Sequence, residues 1–492
     1  MRVRAAFAVH AIGLMATLWM SSLAFGQADW TQRFPTHVPP KRMYPAMAQF
    51  GSCSQSSCGG NVVMFGGLNL GPPGNFNQFN ALSDTWVWNG TDWTQVSTIA
   101  TPPARYGASM AYDFTTGSAV LFGGQTANGQ FLSDTWLFKS ELFCSKGFGC
   151  GSSFSWTQVT FPAGAATPPA RAEAVMATKP GSPPSLVGLT GGVSRSGLNL
   201  VFLNDTWIFN TGTKTWTQQT VAGPPARSDA AMASCFGSGL GTAELFGGYN
   251  GSFVQPLGDT WVFNFDLPQW FGPNLPQTTP APRFGHRMAH YPVSGFRVLY
   301  GGQAFNNFTN TAFLPTDTWN ATCNPAPNTW SSPGGQATPA HNPGHKDFHG
   351  MTTGPGGFTV LLFGGNDQPF PRLASGSFPN GRDLNETWTW GRRVACLPVD
   401  GSQISVHSEV SCQFDQTDNV QFGGWTPNGF KAVSEDDGPS HGDGNGQNLE
   451  GQANVIFRAK GVGAASITAN WTDAAGSHTQ TFNYRVVPPH KD

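Results

Sequence analysis

The sequence predicts an all-β protein, and three observations carry that expectation. Charged residues make up only 11% of the 492 positions, against about 25% in an ordinary soluble domain. Glycine (62) and proline (38) are abundant while aromatic residues reach 13%, so turns are frequent and a core can still be built. Short apolar runs ending in Gly-Gly recur along the chain, as in Val63-Met64-Phe65-Gly66-Gly67 and Val120-Leu121-Phe122-Gly123-Gly124. A helical bundle would need Ala, Glu, Lys and Leu in quantity instead. The formal charge of −2 leaves no electrostatic footprint for nucleic acid, so no nucleic-acid partner is expected.

Residues 1–26 have the form of a secretory leader. Arg2 and Arg4 precede an apolar stretch, Ala5 to Leu23, and Ala24-Phe25-Gly26 supplies small residues for cleavage before Gln27. Removal of the two arginines takes the formal charge from −2 to −4. No other segment approaches the roughly 18 apolar residues of a membrane span. The expectation is a secreted, periplasmic or cell-surface chain without a span in its mature part. Eight cysteines fit such an oxidising compartment. Cys53 with Cys58, and Cys144 with Cys150, are close enough in sequence to staple small loops. Cys396 and Cys412 are a third candidate pair, and Cys235 and Cys323 remain over.

The body of the chain is a repeat of about 55 residues. Gly-Gly recurs at Gly66, Gly123, Gly191, Gly247, Gly301 and Gly364. Each is followed by a polar loop and then Asp-Thr-Trp, at Asp84, Asp134, Asp205, Asp259 and Asp317, with Glu386-Thr387-Trp388 as the sixth copy. A second tryptophan follows at Trp93, Trp156, Trp216, Trp270 and Trp330. Each unit opens on a basic residue with a methionine five positions later, from Arg42/Met47 through Arg105, Arg171, Arg227 and Arg283 to Lys346/Met351. Four strands per unit in this order form a propeller blade.

On these residues the chain resembles the kelch-repeat family over roughly residues 29–393, in a form similar to exported bacterial members. The resemblance implies a β-propeller that hosts adaptors and enzymes alike. Six Gly-Gly and six Asp-Thr-Trp strands require six closing strands, yet only five closing tryptophans follow them. The sixth is Trp30, in Asp29-Trp30-Thr31-Gln32. The expected fold is therefore a six-bladed propeller over residues 27–393, closed by its N-terminal strand so that no edge is left open. Twelve of the 17 tryptophans fall at the two repeat positions, which favours packing between blades over a sugar-binding platform.

Candidate site residues are few. The first and third strands of a blade begin on the same face, so each repeat Arg and Asp meet as a structural ion pair. The competing expectation is a ring of exposed cations, with Arg227 and Arg283 as binding residues. His286 and His349 occupy equivalent places two residues before the repeat methionine of adjacent units, where imidazoles could face a central channel. Two enzymes of the family set alternatives. A galactose-oxidase-like copper site would need a cysteine beside a tyrosine, which none of the seven tyrosines has. A mutarotase-like sugar isomerase would need an acid/base pair in the channel, for which no local signature stands out.

After residue 393 the texture changes to period-2 strands such as Ala465-Ser466-Ile467-Thr468-Ala469-Asn470-Trp471. Residues 394–492 resemble a bacterial immunoglobulin-like β-sandwich. Within them, Asp436, Asp437, Asp443 and Asn445 offer oxygen ligands for Ca2+, although the spacing departs from the calcium-loop pattern. No other cofactor is expected. The functional expectation is an exported interaction protein that binds a carbohydrate or a protein through blade loops, with a sugar-directed channel enzyme as the alternative. The insertions at 68–82, 140–154, 303–314 and 367–384 would carry specificity.

Overall fold

The computed structural model describes residues 28–488, except 52–59, 72–79, 114, 146–148, 180–184, 236–240, 253–254, 275, 277, 294, 307–308, 310, 323–328, 333–341, 368–382, 392–393, 398–402, 406–408, 415–420, 434–453 and 474–475. The leader segment, Cys53, Cys58, Cys323 and the calcium candidates Asp436, Asp437, Asp443 and Asn445 lie outside the described residues.

Among the described residues, six four-stranded antiparallel sheets follow one another along the repeat region. The first runs from Ala46–Phe50 through Asn61–Phe65 and Thr85–Trp88 to Trp93–Val96. The second starts at Ser109–Asp113, the third at Val175–Thr178, the fourth at Ala231–Cys235 and the fifth at Arg287–Tyr291. The last sheet orders Gly350–Thr353, Thr359–Phe363, Thr387–Gly391 and then Asp29–Arg33, with Trp30 opposite Trp390. The starting strands touch their neighbours in a closed circle, the first against both the second and the last. This is a β-propeller.

Both faces of each sheet are covered, and that explains why its central strands read as unbroken apolar runs rather than as alternation. One face of the first sheet (Ala46, Ala48, Val63, Phe65, Val87) packs on Ala119, Leu121, Trp136 and Phe138 of the second. Its other face (Met47, Val62, Met64, Trp86, Trp88, Trp93) packs on Leu361 and Phe363 of the last.

Polar repeat residues lock this packing. Trp93, Trp156, Trp216, Trp270 and Trp30 each donate the indole N–H to the threonine of a neighbouring sheet's third strand: Thr387, Thr85, Thr135, Thr206 and Thr318, at 2.8–3.0 Å. The threonine of Asp-Thr-Trp is thus a junction residue. At the Trp330–Thr260 junction both groups are buried and unpaired. The double glycine is required by close approach: Gly123 sits at φ +67, and a Cβ there would lie 2.5 Å from the Arg171 carbonyl oxygen.

The insertions differ in form. Short hairpins at Leu68–Asn69/Asn80–Ala81, Val193–Ser196/Asn199–Phe202 and Gln303–Asn306/Thr311–Phe313 rise after the Gly-Gly turns. The segment at 140–154, expected as a loop, instead extends the second sheet as Thr135–Ser145 paired with Gly149–Gln158. Continuous ladder pairing satisfies its backbone groups without help from the rest of the blade. Cys144 and Cys150 are register partners there.

Past the propeller, two four-stranded sheets form. One orders Val394–Leu397, Glu409–Phe414, Asn454–Ala459 and Phe430–Val433; the other orders Gln403–Ser405, Gly476–Val487, Gly463–Asp473 and Gln421–Asn428. Their shared core holds Val410, Trp425, Phe457, Ile467, Phe482 and Tyr484. Cys412 is disulfide-bonded and stands opposite Cys396 in register. Among the described residues no helix is long and apolar enough to cross a membrane.

Candidate functional site

The repeat arginines are fully used inside the sheets. Arg283 donates through Nη1 and Nη2 to the two carboxylate oxygens of Asp317 at 2.6 and 2.9 Å, and to the Gly301 carbonyl at 3.1 Å. Arg227 makes the same set with Asp259 and Gly247. Asp317 also accepts the Trp319 indole N–H, so one carboxylate braces the arginine and the tryptophan of its own motif. Arg42, Arg105 and Arg171 repeat the arrangement. Lys346 and Glu386 form a single-contact version at 2.8 Å. Neither Arg227 nor Arg283 lines a central cavity, because the buried fork is consumed by its aspartate and carbonyl.

His286 and His349 are also fully buried and absent from the cavity walls. His286 Nε2 donates to the Phe246 carbonyl, 3.1 Å away. Both ring nitrogens of His349 are unpaired. Burial holds both imidazoles well below their usual pKa, and the neighbouring Arg283, Arg287 and Lys346 charges push the same way. They are neutral at physiological pH.

The channel itself is built by three successive rows of residues, one from each sheet. At one end stand Tyr44, Gly107, Glu173, Asp229, Gly285 and Phe348, each two positions after the repeat basic residue. Their backbones join in a closed ring of hydrogen bonds: each N–H donates to the carbonyl of its equivalent in the preceding sheet, at 2.7–3.2 Å. All six have left-handed backbones, with φ between 50 and 68°. Glycine adopts that conformation freely, but it costs other residues about 1–2 kcal/mol each. Tyr44, Glu173, Asp229 and Phe348 therefore hold side chains at positions where glycine would be easier.

The second row is the six repeat methionines, Met47, Met110, Met176, Met232, Met288 and Met351. They border two cavities, one of about 100 Å³ on the ring side and one of about 260 Å³ beyond. The third row, Gln49, Tyr112, Thr178, Ser234, His290 and Thr353, lines the far cavity. Thr178, Ser234, Thr353 and Gln49 each donate a side-chain hydrogen to a backbone carbonyl of the adjacent sheet. Burial beside Arg297 lowers the His290 pKa to about 3, so the histidine of this row is neutral, with the buried Glu244–Arg297 pair behind it.

The ring end is different. Glu173, Asp229, Arg287 and Tyr44 line the smaller cavity. The Glu173 and Asp229 carboxyls lie within hydrogen-bonding reach of each other, a contact that forms only if one of them keeps a proton. Burial raises both, and Asp229, also opposed by the Glu173 charge, is raised strongly. Asp347, fully buried, is likewise raised by burial, and neither of its carboxylate oxygens has a hydrogen-bond partner in another residue. Aromatic rings surround the group: Tyr44 stacks on Phe348 with centroids 4.3 Å apart, and Tyr106, Tyr249 and Phe284 belong to the same cluster. Among the described residues, no group of three or more His, Cys, Asp or Glu side chains is placed to hold a metal ion.

This acidic mouth was not legible as a motif. Its column reads Tyr, Gly, Glu, Asp, Gly, Phe, with no recurring residue type. The usable signal was its fixed offset from the repeat arginine, occupied by residues that do not suit a turn.

A family profile described as the KLHDC2/KLHL20/DRC7 Kelch-repeats domain matches residues 52–302. An F-box/kelch-repeat protein of Arabidopsis thaliana, At1g51550, is 27% identical over 274 residues, which is 49% of this chain and 49% of that protein. The Rab9 effector protein with kelch motifs of Bos taurus is 30% identical over 131 residues, 26% of this chain and 33% of that protein. The chain thus spans half or less of the length of these relatives. Among solved structures, that of YjhT overlays with a TM-score of 0.45 at 13% identity, covering 72% of this chain and 96% of that one.

Proposed function

Because the chain belongs to the kelch-repeat family, we propose that it is an exported binding protein whose six-bladed, N-terminally closed propeller holds a carbohydrate at the channel mouth. The immunoglobulin-like module at 394–492 follows it, stapled by Cys396 and Cys412. One observation carries this reading: four side chains are kept in left-handed backbone at the ring, two of them carboxyls that line the smaller cavity. Strain of that kind persists where the side chain is used. Carboxyls and a guanidinium suit sugar hydroxyls, and flat aromatic faces suit the C–H side of a sugar ring. The hairpins after the Gly-Gly turns surround this end and set which sugar, or which protein bearing it, can approach.

A glycan array on the mature chain tests the reading. Binding to a defined set of glycans is expected, and the Glu173→Gly variant should lose it. The same variant should fold at least as well as the parent, because relief of about 1–2 kcal/mol of left-handed strain offsets the 0.5–1 kcal/mol that glycine costs in chain entropy. A variant that melts several degrees lower and still binds would sink the idea. A sugar isomerase is the second reading, favoured by the same carboxyl pair, since an acid and a base in one cavity are what it requires. It would show as catalysed anomer interconversion of a bound sugar, followed by NMR.

Export has its own check. N-terminal sequencing of the protein recovered from a bacterial periplasm or medium should begin at Gln27. Recovery of an uncleaved chain in the cytosol would refute it.

A further inference from the structure

The channel mouth gathers more negative groups than positive ones. Glu173 and Asp229 line the cavity, and Asp347 is close enough to raise both Asp229 and Tyr44. Asp367 adds its negative charge next to Asp347, and against these carboxyls the described residues set one guanidinium, Arg287, which donates from Nη1 to the His286 carbonyl. His286 and His349, the other basic groups facing this cluster, are held neutral by burial. Lys346 is tied to Glu386, and Arg283 to Asp317.

Buried carboxylates without partners are costly, so such groups keep a proton or take a cationic partner. Two places show where a cation is lacking. Asp229 is 5% exposed, lines the cavity, and its buried Oδ1 has no hydrogen-bond partner. Asp347 is fully buried, and no other residue donates to either of its oxygens. Tyr44, stacked on Phe348, adds an aromatic wall of the kind that attracts ammonium groups. A volume of about 100 Å³ admits an ammonium with a few carbons, the head of a ligand rather than the whole of it.

We infer that the ligand bears a primary ammonium group, as in a hexosamine with a free amine, and that this group seats between Asp229 and Glu173 in the smaller cavity. The inference rests on the reading of the mouth as a sugar site and specifies the sugar class. On binding, the ammonium approaches the carboxylate pair and the displaced proton passes to the buffer. No covalent bond is made or broken.

Titration calorimetry of the whole mature chain with glucosamine, N-acetylglucosamine and glucose tests it. Glucosamine should bind at least about tenfold more tightly than either neutral sugar, with a heat that changes between phosphate and Tris buffers because a proton is released. Its affinity should rise with pH for as long as the amine stays protonated, because both carboxyls are raised and the proton becomes easier to lose. Asp229→Asn and Glu173→Gln, checked by thermal melts, should each lose the preference for glucosamine and the buffer dependence. Equal binding of glucose and glucosamine overturns the ammonium inference while leaving the sugar site standing. Binding of none of the three, together with a blank glycan array, removes both. Variants that keep the glucosamine preference also overturn the inference, and so does a buffer-independent heat in the parent protein.

Discussion

Replacing Asp134 by alanine should destabilise the propeller by about 3–5 kcal/mol, because it strands a buried guanidinium. Arg105 is fully buried, and both of its terminal nitrogens donate to the Asp134 carboxylate, at 2.6 and 2.8 Å. The same carboxylate accepts the Trp136 indole N–H at 2.7 Å, so the substitution removes three hydrogen bonds, two from the guanidinium and one from the indole. Asp134→Asn retains the shape and one acceptor oxygen and should cost less. Glu386→Gln, which removes the charge from a pair with a single contact and a carboxylate side chain 38% exposed, should cost least of the three. Urea unfolding of the three variants gives the order. Equal midpoints for Asp134→Ala and the parent would show that the pair contributes nothing.

The pH dependence of this pair has a definite sign. Burial alone would raise the Asp134 carboxyl, but the hydrogen bonds and charge of Arg105, with the Trp136 N–H, outweigh it and hold the group below 3.8. Asp205, Asp259 and Asp317 are lowered by the same balance. A depressed folded-state pKa means that the stabilisation is complete above the unfolded value and is lost as pH falls through the folded one. Four such groups in a row predict a steep loss of stability below about pH 4. Asp134→Ala should flatten that slope, as thermal melts across the acid range would show.

Trp30→Ala should be comparably damaging, at about 3–5 kcal/mol, for a different reason. Trp30 is fully buried, 5.1 Å edge-on from Tyr300 and 5.5 Å from Trp390 between ring centroids, and donates to Thr318 Oγ1 at 2.8 Å. It also holds the strand Asp29–Arg33, whose five residues pair with Thr387–Gly391 from the other end of the repeat region. When that strand releases, Thr387–Gly391 becomes an open edge, a template for pairing with another chain. Trp30→Ala should therefore aggregate on heating as well as melt earlier, whereas Trp30→Phe, which retains an aromatic ring and loses one hydrogen bond, should cost less and aggregate no more than the parent. Light scattering during the melt separates the two. An alanine variant that melts like the parent would mean that the N-terminal strand is dispensable to the ring.

The repeat was legible because its chemistry is local and recurs. Gly123 must turn and let the Arg171 carbonyl approach, Asp134 must face Arg105, and Thr135 must meet the indole of Trp216. Each requirement falls on every unit, so each leaves a column of like residues. The acidic mouth left no such column, since Glu173 and Asp229 come from neighbouring units and stand against Gly107 and Gly285 in two of the others. Histidines at 286 and 349 looked more chemical in sequence, yet tight packing and neighbouring cations keep them neutral and out of the cavity.

Sequence by itself determined the all-β class, the kelch repeat, and the complementary signs of each Arg–Asp or Lys–Glu pair, because these follow from residue identity and spacing. Only the tertiary structure decided where charge converges on the axis. Closure of the ring brings Tyr44, Glu173, Asp229, Arg287 and Asp347, spread over some 300 residues, into one electrostatic neighbourhood. There, burial and mutual repulsion rather than residue type set which of them hold a proton.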